Sequence, residues 1–297
     1  MFTGLSAFPL TPASDAGIDD TAYERLIIRL AESGVDSIGA LGSTGGYAYL
    51  SRAERARAAT IAVQAAGSVP VVVGVGAVRT REVLAHVEDA QNAGAAGLLL
   101  APITYQLLTD DEVYGLYEAV TANASAPVVV YDNPATTHVL FSDELHGRIA
   151  QLPGISSIKI PPVSPDPTIA RERVQRLRAL IPAHVTIGVS GDGAGANGLL
   201  AGCDAWYSVV AGILPRECVA IAAAAIAGDT ESARTLSARF DPIWTLFTRY
   251  GSYRVAAAIA ESLGLLEPGT LPAPVQGLDA AGRKSVADAL RSAGVGA

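Results

Sequence analysis

AESGVDSIGALG, residues 31–42, is the first of three segments that share one order of features. QNAGAAGLLLAP (residues 91–102) and LLAGCDAWYSVV (residues 199–210) repeat that order. Each segment ends a helical pattern, passes through a glycine suited to the left-handed position that closes a helix, and then enters an apolar strand. Units of this kind, repeated without a linker rich in chain breakers, favour one closed α/β domain over two separate domains.

Outward from these segments, short apolar runs alternate with longer helical patterns along most of the chain. Most runs are apolar throughout, which is typical of parallel strands buried on both faces. The predicted strands are Leu5–Leu10, Val35–Leu41, Val69–Val75, Gly97–Ala101, Pro127–Tyr131, Ile155–Ile160, Val185–Val189 and Ala205–Val210. The predicted helices between them are Asp20–Ser33, Arg52–Ala65, Arg81–Ala93, Asp110–Ala122, Ser142–Gln151, Asp166–Leu180 and Asn197–Ala201.

Eight strands that alternate with helices predict an α/β fold of the (β/α)8 TIM barrel type. The remainder, Pro215 to Gly294, has helical patterns only. We therefore expect a catalytic barrel over residues 1–225 and a C-terminal helical extension over residues 226–297. An open doubly wound sheet is the competing fold, but it needs a glycine-rich phosphate turn after its first strand, and GLSAFPLTP (residues 4–12) contains none.

The composition excludes several classes of function. Half of the 297 residues are hydrophobic and 17% are charged, so a large buried core is available. A net charge of −8 without a basic stripe argues against nucleic-acid binding. No stretch reaches the roughly 20 apolar residues of a membrane helix, and the first residues do not resemble a signal peptide. Two cysteines are too few for a disulfide framework, which favours a cytoplasmic protein.

Reactive groups of a barrel lie where strands end at its C-terminal face, in the loops that follow. The second strand runs into ALGSTGG, residues 40–46, which places Ser43 and Thr44 in a turn flanked by glycines. Their hydroxyls and the neighbouring backbone N–H groups can hold a carboxylate. The alternative is an ordinary strand–helix turn that needs glycines and a capping hydroxyl.

A tyrosine and a lysine end two neighbouring strands. Tyr131 lies in VVVYDNP, residues 128–134, and Lys159 lies in GISSIKIPP, residues 154–162. Lys159 is one of only two lysines in an arginine-rich chain. Apolar surroundings disfavour its ammonium form, so that more neutral amine can attack a carbonyl. The alternative is a lysine in an ion pair at a strand end, with Asp166 as the nearest following acid.

The later strand ends are less informative. SGDG, residues 190–193, offers Gly191 and Asp192 after the seventh strand, and Ser208 lies near the end of the eighth. These residues are equally compatible with a turn, a helix cap and a hydroxyl that satisfies a buried backbone group. The four histidines have no spacing typical of a metal site, and we predict none.

Together these segments resemble the dihydrodipicolinate synthase / N-acetylneuraminate lyase family of class I, Schiff-base-forming enzymes. GSTGG stands where that family has Gly-(Ser/Thr)-Thr-Gly-Glu, and LSRAER (residues 50–55) is similar to its Leu-Ser-x-x-Glu-Arg. YDNP matches its Tyr-Asn-x-Pro, and SIKI (residues 157–160) matches its lysine strand. The resemblance runs in order from about Leu5 to Pro215.

The resemblance implies a role for each matching position. Lys159 would form the imine with a 2-keto acid, most commonly pyruvate, without a metal or other cofactor. Tyr131 would relay protons, and Ser43 would hydrogen-bond it. The positions expected to bind the substrates are Thr44 and Gly45 for the carboxylate, and Gly191, Asp192 and Ser208 on the side of the second substrate. Tyr105 and Thr136 are also expected to bind substrate.

The chain also departs from the family pattern. Thr136 stands where the synthases that make the lysine precursor carry an arginine for a second carboxylate. Gly46 replaces the glutamate of the turn. Thr104 with Tyr105 beside it aligns with a relay tyrosine that a neighbouring subunit often supplies. After the lysine, an acidic residue is common, whereas this chain has Ile160 and two prolines.

These features predict a class I lyase or aldolase that uses pyruvate or a related 2-keto acid to make or break a C–C bond, on a keto-deoxy sugar acid or a similar substrate. The alternatives are a 4-hydroxy-tetrahydrodipicolinate (dihydrodipicolinate) synthase, against which Thr136 argues, and a keto-deoxy sugar acid dehydratase. A non-catalytic keto-acid binder is disfavoured, because both Lys159 and Tyr131 are retained. The resemblance also implies a homo-oligomer, either a dimer or a tetramer.

Overall fold

A closed barrel of eight parallel strands forms the centre of the protein, as a computed structural model that describes residues 2–295 shows. Each strand pairs with its neighbours in chain order, and the last pairs with the first. The predicted (β/α)8 barrel is confirmed and the open sheet is excluded. The strands are β1 (Gly4–Ala7), β2 (Ser37–Ala40), β3 (Val71–Gly74), β4 (Gly97–Leu100), β5 (Val128–Tyr131), β6 (Ile155–Ile160), β7 (Thr186–Val189) and β8 (Ala205–Ser208).

Helices follow the strands around the barrel and continue beyond it. They are α1 (Asp20–Ala31), α2 (Arg52–Ala65), α3 (Thr80–Asn92), α4 (Asp110–Asn123), the short α5 (Pro134–Thr137), α6 (Asp143–Ala150), α7 (Pro167–Arg178), α8 (Gly195–Leu200), α9 (Pro215–Ile226), α10 (Thr230–Ala238), α11 (Asp241–Tyr250), α12 (Ser252–Ser262) and α13 (Ala280–Ala293). The seven predicted helices correspond to α1–α4 and α6–α8. None of the helices between residues 2 and 295 is long and apolar enough to cross a membrane.

Two local features differ from the sequence-based expectation. The prediction of helices only from Pro215 to Gly294 is wrong between α12 and α13, where residues 263–279 form turns and irregular chain. Pro268, Pro272 and Pro274 lie in this segment, and a proline inside a helix removes a hydrogen bond and clashes with the preceding turn. A two-stranded hairpin, Ala13–Ser14 with Gly17–Ile18, was not predicted.

In each of the three recurring segments, the glycine adopts the left-handed conformation that the sequence predicts. Gly34, Gly94 and Gly202 have φ values of +82°, +87° and +103°, which side chains with a Cβ rarely adopt. Each lies between the end of a helix and the start of a buried strand. These turns bring the chain from the outer helices back to the base of the next strand, and so set the repeat of the barrel.

Glycines inside the barrel make room for two aromatic rings. A Cβ on Gly39 of β2 would lie 2.3 Å from the Phe8 ring, and a Cβ on Gly188 of β7 would lie 2.1 Å from the Tyr207 ring. Phe8 and Tyr207 themselves meet edge to face with their centroids 5.9 Å apart. Gly39 and Gly188 therefore leave space for the Phe8 and Tyr207 rings, which line the barrel interior near the C-terminal ends of the strands.

Gly188→Ala is expected to lower the free energy of unfolding by about 1–3 kcal/mol, because the added methyl group cannot coexist with the Tyr207 ring in its present position. Urea unfolding followed by circular dichroism measures the change. Gly115→Ala is the matched control, since a Cβ there meets no atom within 4 Å outside its own stretch of helix and alanine favours helix α4 by up to about 1 kcal/mol. Equal effects of the two substitutions would contradict this account of the interior.

The C-terminal helices reach two turns at the barrel mouth. A Cβ on Gly46, which has φ +66°, would lie 2.4 Å from Tyr253 Oη of α12. A Cβ on Gly193 would lie 3.3 Å from Trp244 of α11. The extension therefore packs against loops of the barrel. The division at residue 225 falls within α9 and stays a prediction.

Candidate active site

Lys159 lies inside the barrel, where its amine is enclosed by three aromatic rings. Its Nζ is 4.1 Å from the centroid of the Phe8 ring, 4.5 Å from that of Tyr131 and 5.5 Å from that of Tyr207. The residue is 3% exposed. Among residues 2–295 no carboxylate forms a salt bridge with it. Asp166, the candidate ion-pair partner, instead caps α7 by accepting from the backbone of Thr168 and Ile169.

Burial lowers the pKa of Lys159 from its ordinary value of 10.5, because the rings replace the water that would stabilise an ammonium ion. Electrostatic interactions with Tyr131 and Asp192 act in the opposite direction and have the smaller effect. The lowered pKa raises the share of neutral amine at a given pH. A neutral amine in an enclosed site can attack a carbonyl carbon.

Tyr131 is paired with Lys159 across β5 and β6, so both side chains point into the barrel at the same height. Its Oη lies 3.2 Å from Ser43 Oγ, which comes from the turn after β2. The amide of Asn133 donates a second hydrogen bond to the same oxygen, at 2.9 Å. The structure thus brings together Tyr131 and Ser43 by a hydrogen bond and Tyr131 and Lys159 by strand register, from three separate strand ends.

The turn that carries Ser43 is held tightly in place. Leu41 has φ +56°, and its carbonyl packs against Gly74, where a Cβ would lie 1.9 Å from the oxygen. Thr44 is buried. Within residues 2–295 the N–H groups of Thr44 and Gly45 donate to no protein acceptor. Two such groups beside Ser43 suit a carboxylate.

Arg55, the last residue of LSRAER, supports this region from outside the barrel. Its guanidinium donates to the carbonyl oxygens of Gly74 and Gly76, each at 2.9 Å, and lies over the Tyr47 ring. Burial lowers the pKa of Arg55 to about 10. The residue fixes the end of β3 against the start of α2, and so supports the turn between β2 and α2 that carries Ser43.

Comparison with known proteins places this arrangement in a family. The model of the dihydrodipicolinate synthetase family matches residues 1–293. The chain belongs to this family. It is accordingly a class I, Schiff-base-forming lyase, which confirms the prediction from the sequence.

Members of the dihydrodipicolinate synthetase family match nearly the whole chain. The 4-hydroxy-tetrahydrodipicolinate synthase of Methylococcus capsulatus is 33% identical, over 97% of each chain. The crystal structure of a dihydrodipicolinate synthase from Agrobacterium tumefaciens has 44% identity and a TM-score of 0.94, with 98% of each chain covered. A dihydrodipicolinate synthase from Acinetobacter baumannii, solved in complex with pyruvate, has 27% identity and a TM-score of 0.89, covering 99% of this chain and all of its own.

Asp192 and Ser208, expected from the family pattern on the side of the second substrate, bond to each other. Ser208 Oγ donates to Asp192 Oδ1 at 2.5 Å and accepts from the backbone N–H of Ala211. Burial raises the pKa of Asp192, and the hydrogen bond from Ser208 partly offsets this. Gly191 has φ +79°, and a Cβ there would lie 2.4 Å from Pro162. A contact of these residues with a second substrate stays a prediction.

Two other predicted binding residues, Tyr105 and Thr136, are exposed. Tyr105 is 89% exposed in the loop after β4. Thr136 is exposed in α5, with its hydroxyl 3.4 Å from the Asn133 carbonyl oxygen. At position 136 this chain offers a hydroxyl group where a guanidinium would bind a second carboxylate.

Three residues at the site were not predicted from the sequence: Phe8, Tyr207 and Asn133. Tyr207 lies on β8, one residue before Ser208, and Phe8 directly follows β1. Their inward direction depends on the exact strand ends, which an apolar run does not specify. Asn133 follows Tyr131 by two residues, and residues at that spacing along an extended chain share a face. That spacing is the only signal that could have identified it.

No group of three or more His, Cys, Asp or Glu side chains suited to a metal ion is found within residues 2–295. Both cysteines, Cys203 and Cys218, are buried free thiols. Burial raises the pKa of each thiol, Cys203 to about 12, which keeps them in the unreactive protonated form.

Proposed function

We propose that the protein forms an imine between Lys159 and pyruvate or a related 2-keto acid, and then makes or breaks a C–C bond of a keto-deoxy sugar acid or a similar substrate. The observation that carries this proposal is the enclosed Lys159 amine, which lies 4.5 Å from the centroid of the Tyr131 ring and has no salt-bridge partner among residues 2–295. The relative from Acinetobacter baumannii was solved in complex with pyruvate, which supports pyruvate as the first substrate to test.

The chemistry starts with attack by the neutral Lys159 amine on the keto carbon. The C–N bond forms, the nitrogen loses one proton, and the former carbonyl oxygen becomes the hydroxyl of a carbinolamine. Tyr131 Oη then gives its proton to that hydroxyl. The C–O bond breaks, water leaves, and an iminium ion and a tyrosinate remain.

The tyrosinate next takes a proton from the carbon adjacent to the iminium. The electron pair of that C–H bond moves toward the iminium nitrogen, which yields a neutral enamine and restores the Tyr131 hydroxyl. The enamine carbon then attacks an aldehyde carbon: the C–C bond forms, the nitrogen becomes an iminium again, and the aldehyde oxygen takes the Tyr131 proton to become a hydroxyl. Water adds to the iminium carbon and gives one proton back to the tyrosinate, and breakage of the C–N bond releases the keto acid and the Lys159 amine; cleavage of a C–C bond runs through the same steps in reverse. The lysine imine itself accepts the electrons, and for that reason we propose that no metal or organic cofactor takes part.

A second candidate is 4-hydroxy-tetrahydrodipicolinate synthase, which the names of the relatives favour. Thr136 favours the hypothesis of a keto-deoxy sugar acid substrate, because its side chain has no positive charge that could bind a second carboxylate. A panel of aldehydes and keto-deoxy sugar acids separates these reactions by uptake or release of pyruvate. Loss of water without release of pyruvate would identify the dehydratase.

Reductive trapping tests the imine directly. The protein is incubated with pyruvate, reduced with cyanoborohydride, digested and examined by mass spectrometry. We expect an adduct on Lys159 and none on Lys284, the other lysine, which is exposed and paired with Asp288 at 2.8 Å. The variant Lys284→Arg leaves Lys159 as the only lysine and should be trapped to the same extent. An unmodified Lys159 would overturn the proposed function.

Trapping should persist at a pH where an ordinary lysine is almost fully protonated. Burial lowers the pKa of Lys159, so the amine is neutral above that lowered pKa and loses its reactivity as the pH falls through it. We expect the initial rate of imine formation to level off below pH 10.5. A midpoint at or above that value, measured by stopped trapping across a pH series, would show that burial does not activate this lysine.

We also propose that the protein is a cytoplasmic homo-oligomer, either a dimer or a tetramer. Two free, buried thiols suit a reducing compartment. Tyr105 and Leu107 expose 89% and 88% of their surface on one loop, which suits a contact with a second copy. Light scattering coupled to gel filtration measures the number of subunits.

A further inference from the structure

We propose that Asn133 is a positioning residue for the proton transfer of Tyr131. The inference rests on the proposed imine chemistry and extends it to the residue at the variable position of the YDNP motif. Asn133 Nδ2 lies 2.9 Å from Tyr131 Oη, which is closer than Ser43 Oγ at 3.2 Å.

The direction of the two hydrogen bonds follows from the groups themselves. An amide nitrogen only donates, so Tyr131 Oη accepts from Asn133. A phenol has a single proton, and that proton is left to point to Ser43 or to a bound substrate. Asn133 therefore orients the proton that the mechanism transfers.

The side chain of Asn133 does not make the hydrogen bond that is usual for an asparagine at the N-cap of a helix. The residue is the N-cap of α5, a position where asparagine commonly accepts a hydrogen bond from the first helical turn. Here the side chain makes no capping bond. The backbone carbonyl of Asn133 instead accepts from the backbone N–H groups of Thr136 and Thr137 and from the Thr137 hydroxyl. The amide is thereby free to face Tyr131.

The backbone that carries Asn133 is anchored on both sides. The N–H of Asp132 donates to the carbonyl oxygen of Lys159 at 3.0 Å. The buried Asp132 carboxylate lies 3.3 Å from His146 Nε2 of α6. Pro134 follows directly and restricts the chain further. The position of the amide is thus tied to the strand that carries the lysine.

The hydrogen bond from Asn133 is expected to strengthen as the reaction proceeds. When Tyr131 gives its proton to the carbinolamine hydroxyl, the phenol oxygen acquires negative charge. A hydrogen bond to a charged oxygen is roughly twice as strong as one between neutral groups. An interaction that strengthens toward the transition state raises the rate of the chemical step rather than the affinity for the substrate. Because an amide does not release a proton, Asn133 leaves the transfer itself to Tyr131 and Ser43.

The test uses pyruvate alone and needs no second substrate. Formation of the enamine exchanges the methyl protons of pyruvate with deuterium in D2O, and proton NMR follows the exchange. Asn133→Leu keeps a similar volume without a donor, and Asn133→Asp keeps the shape with an acceptor in its place. We expect both to lower kcat for exchange by between about 10-fold and 10²-fold, with KM for pyruvate changed less than about twofold.

The controls distinguish positioning from a structural role. Asn123→Leu and Asn123→Asp make the same changes on the exposed end of α4 and should exchange like the wild type. A merely structural role would spare the isosteric Asn133→Asp, or would raise KM and lower the unfolding temperature together with kcat. Either result, or wild-type exchange in both Asn133 variants, would overturn the inference. Failure of the wild type to form the Lys159 adduct would instead reject the proposed function.

Discussion

Lys159→Arg is expected to abolish the pyruvate adduct and to slow deuterium exchange into pyruvate by at least about 10⁴-fold, because the nucleophile is lost. An arginine guanidinium stays protonated and does not form an imine. Lys159→Met, which removes the charge and places a flexible apolar chain among the rings, should be equally inactive. Reductive trapping and the NMR exchange assay measure both effects.

The two Lys159 variants differ in their expected stability, which makes the result interpretable. An arginine would bury a permanent charge among the Phe8, Tyr131 and Tyr207 rings, whereas methionine is neutral. Circular dichroism should show that at least the methionine variant is folded. Lys284→Arg is the matched control for lysine substitution and should retain full exchange. Exchange at the wild-type rate in a folded Lys159 variant would refute the imine mechanism.

Tyr131→Phe is expected to slow both imine formation and deuterium exchange by about 10²-fold to 10³-fold, because the proton donor is removed. The ring beside Lys159 Nζ remains, so the enclosure of the amine and the KM for pyruvate should change little. Rapid-quench trapping with cyanoborohydride gives the rate of imine formation, and NMR gives the exchange.

Tyr117→Phe provides the control for loss of a buried tyrosine hydroxyl. Tyr117 Oη donates to the Leu100 carbonyl oxygen at 2.8 Å, outside the barrel interior. Its removal should lower the free energy of unfolding by about 1–3 kcal/mol while exchange continues. If Tyr131→Phe behaved in the same way, Tyr131 would be a structural residue and the proton would come from another group.

The barrel and the pairing of Lys159 with Tyr131 were predictable because both depend on short-range patterns. Apolar runs separated by helical segments identify parallel strands, and the rule that reactive groups lie at strand ends selects Lys159 and Tyr131. The strand ends themselves were less accurate. The first strand was expected to reach Leu10 but ends at Ala7. That difference decides which residues face inward at the mouth.

The enclosure of Lys159 and the second partner of Tyr131 were not predictable. Phe8 and Tyr207 fit only because Gly39 and Gly188, on other strands, leave space for their rings. This complementarity exists in three dimensions and has no pattern along the chain. Asn133 precedes a proline and is typical of a helix cap, so local rules assign its side chain to the wrong partner.

The rings around Lys159 have a consequence beyond excluding water. The iminium ion carries a positive charge that is spread over carbon and nitrogen and is more weakly hydrated than an ammonium ion. The faces of Phe8, Tyr131 and Tyr207 present negative electrostatic potential within 4.1 to 5.5 Å of the nitrogen. An aromatic enclosure therefore disfavours the ammonium form of Lys159, which cannot attack a carbonyl, and stabilises the iminium ion, which the reaction requires. The site therefore distinguishes the ammonium ion from the iminium ion at the same nitrogen, because water stabilises the ammonium ion more strongly than the iminium ion.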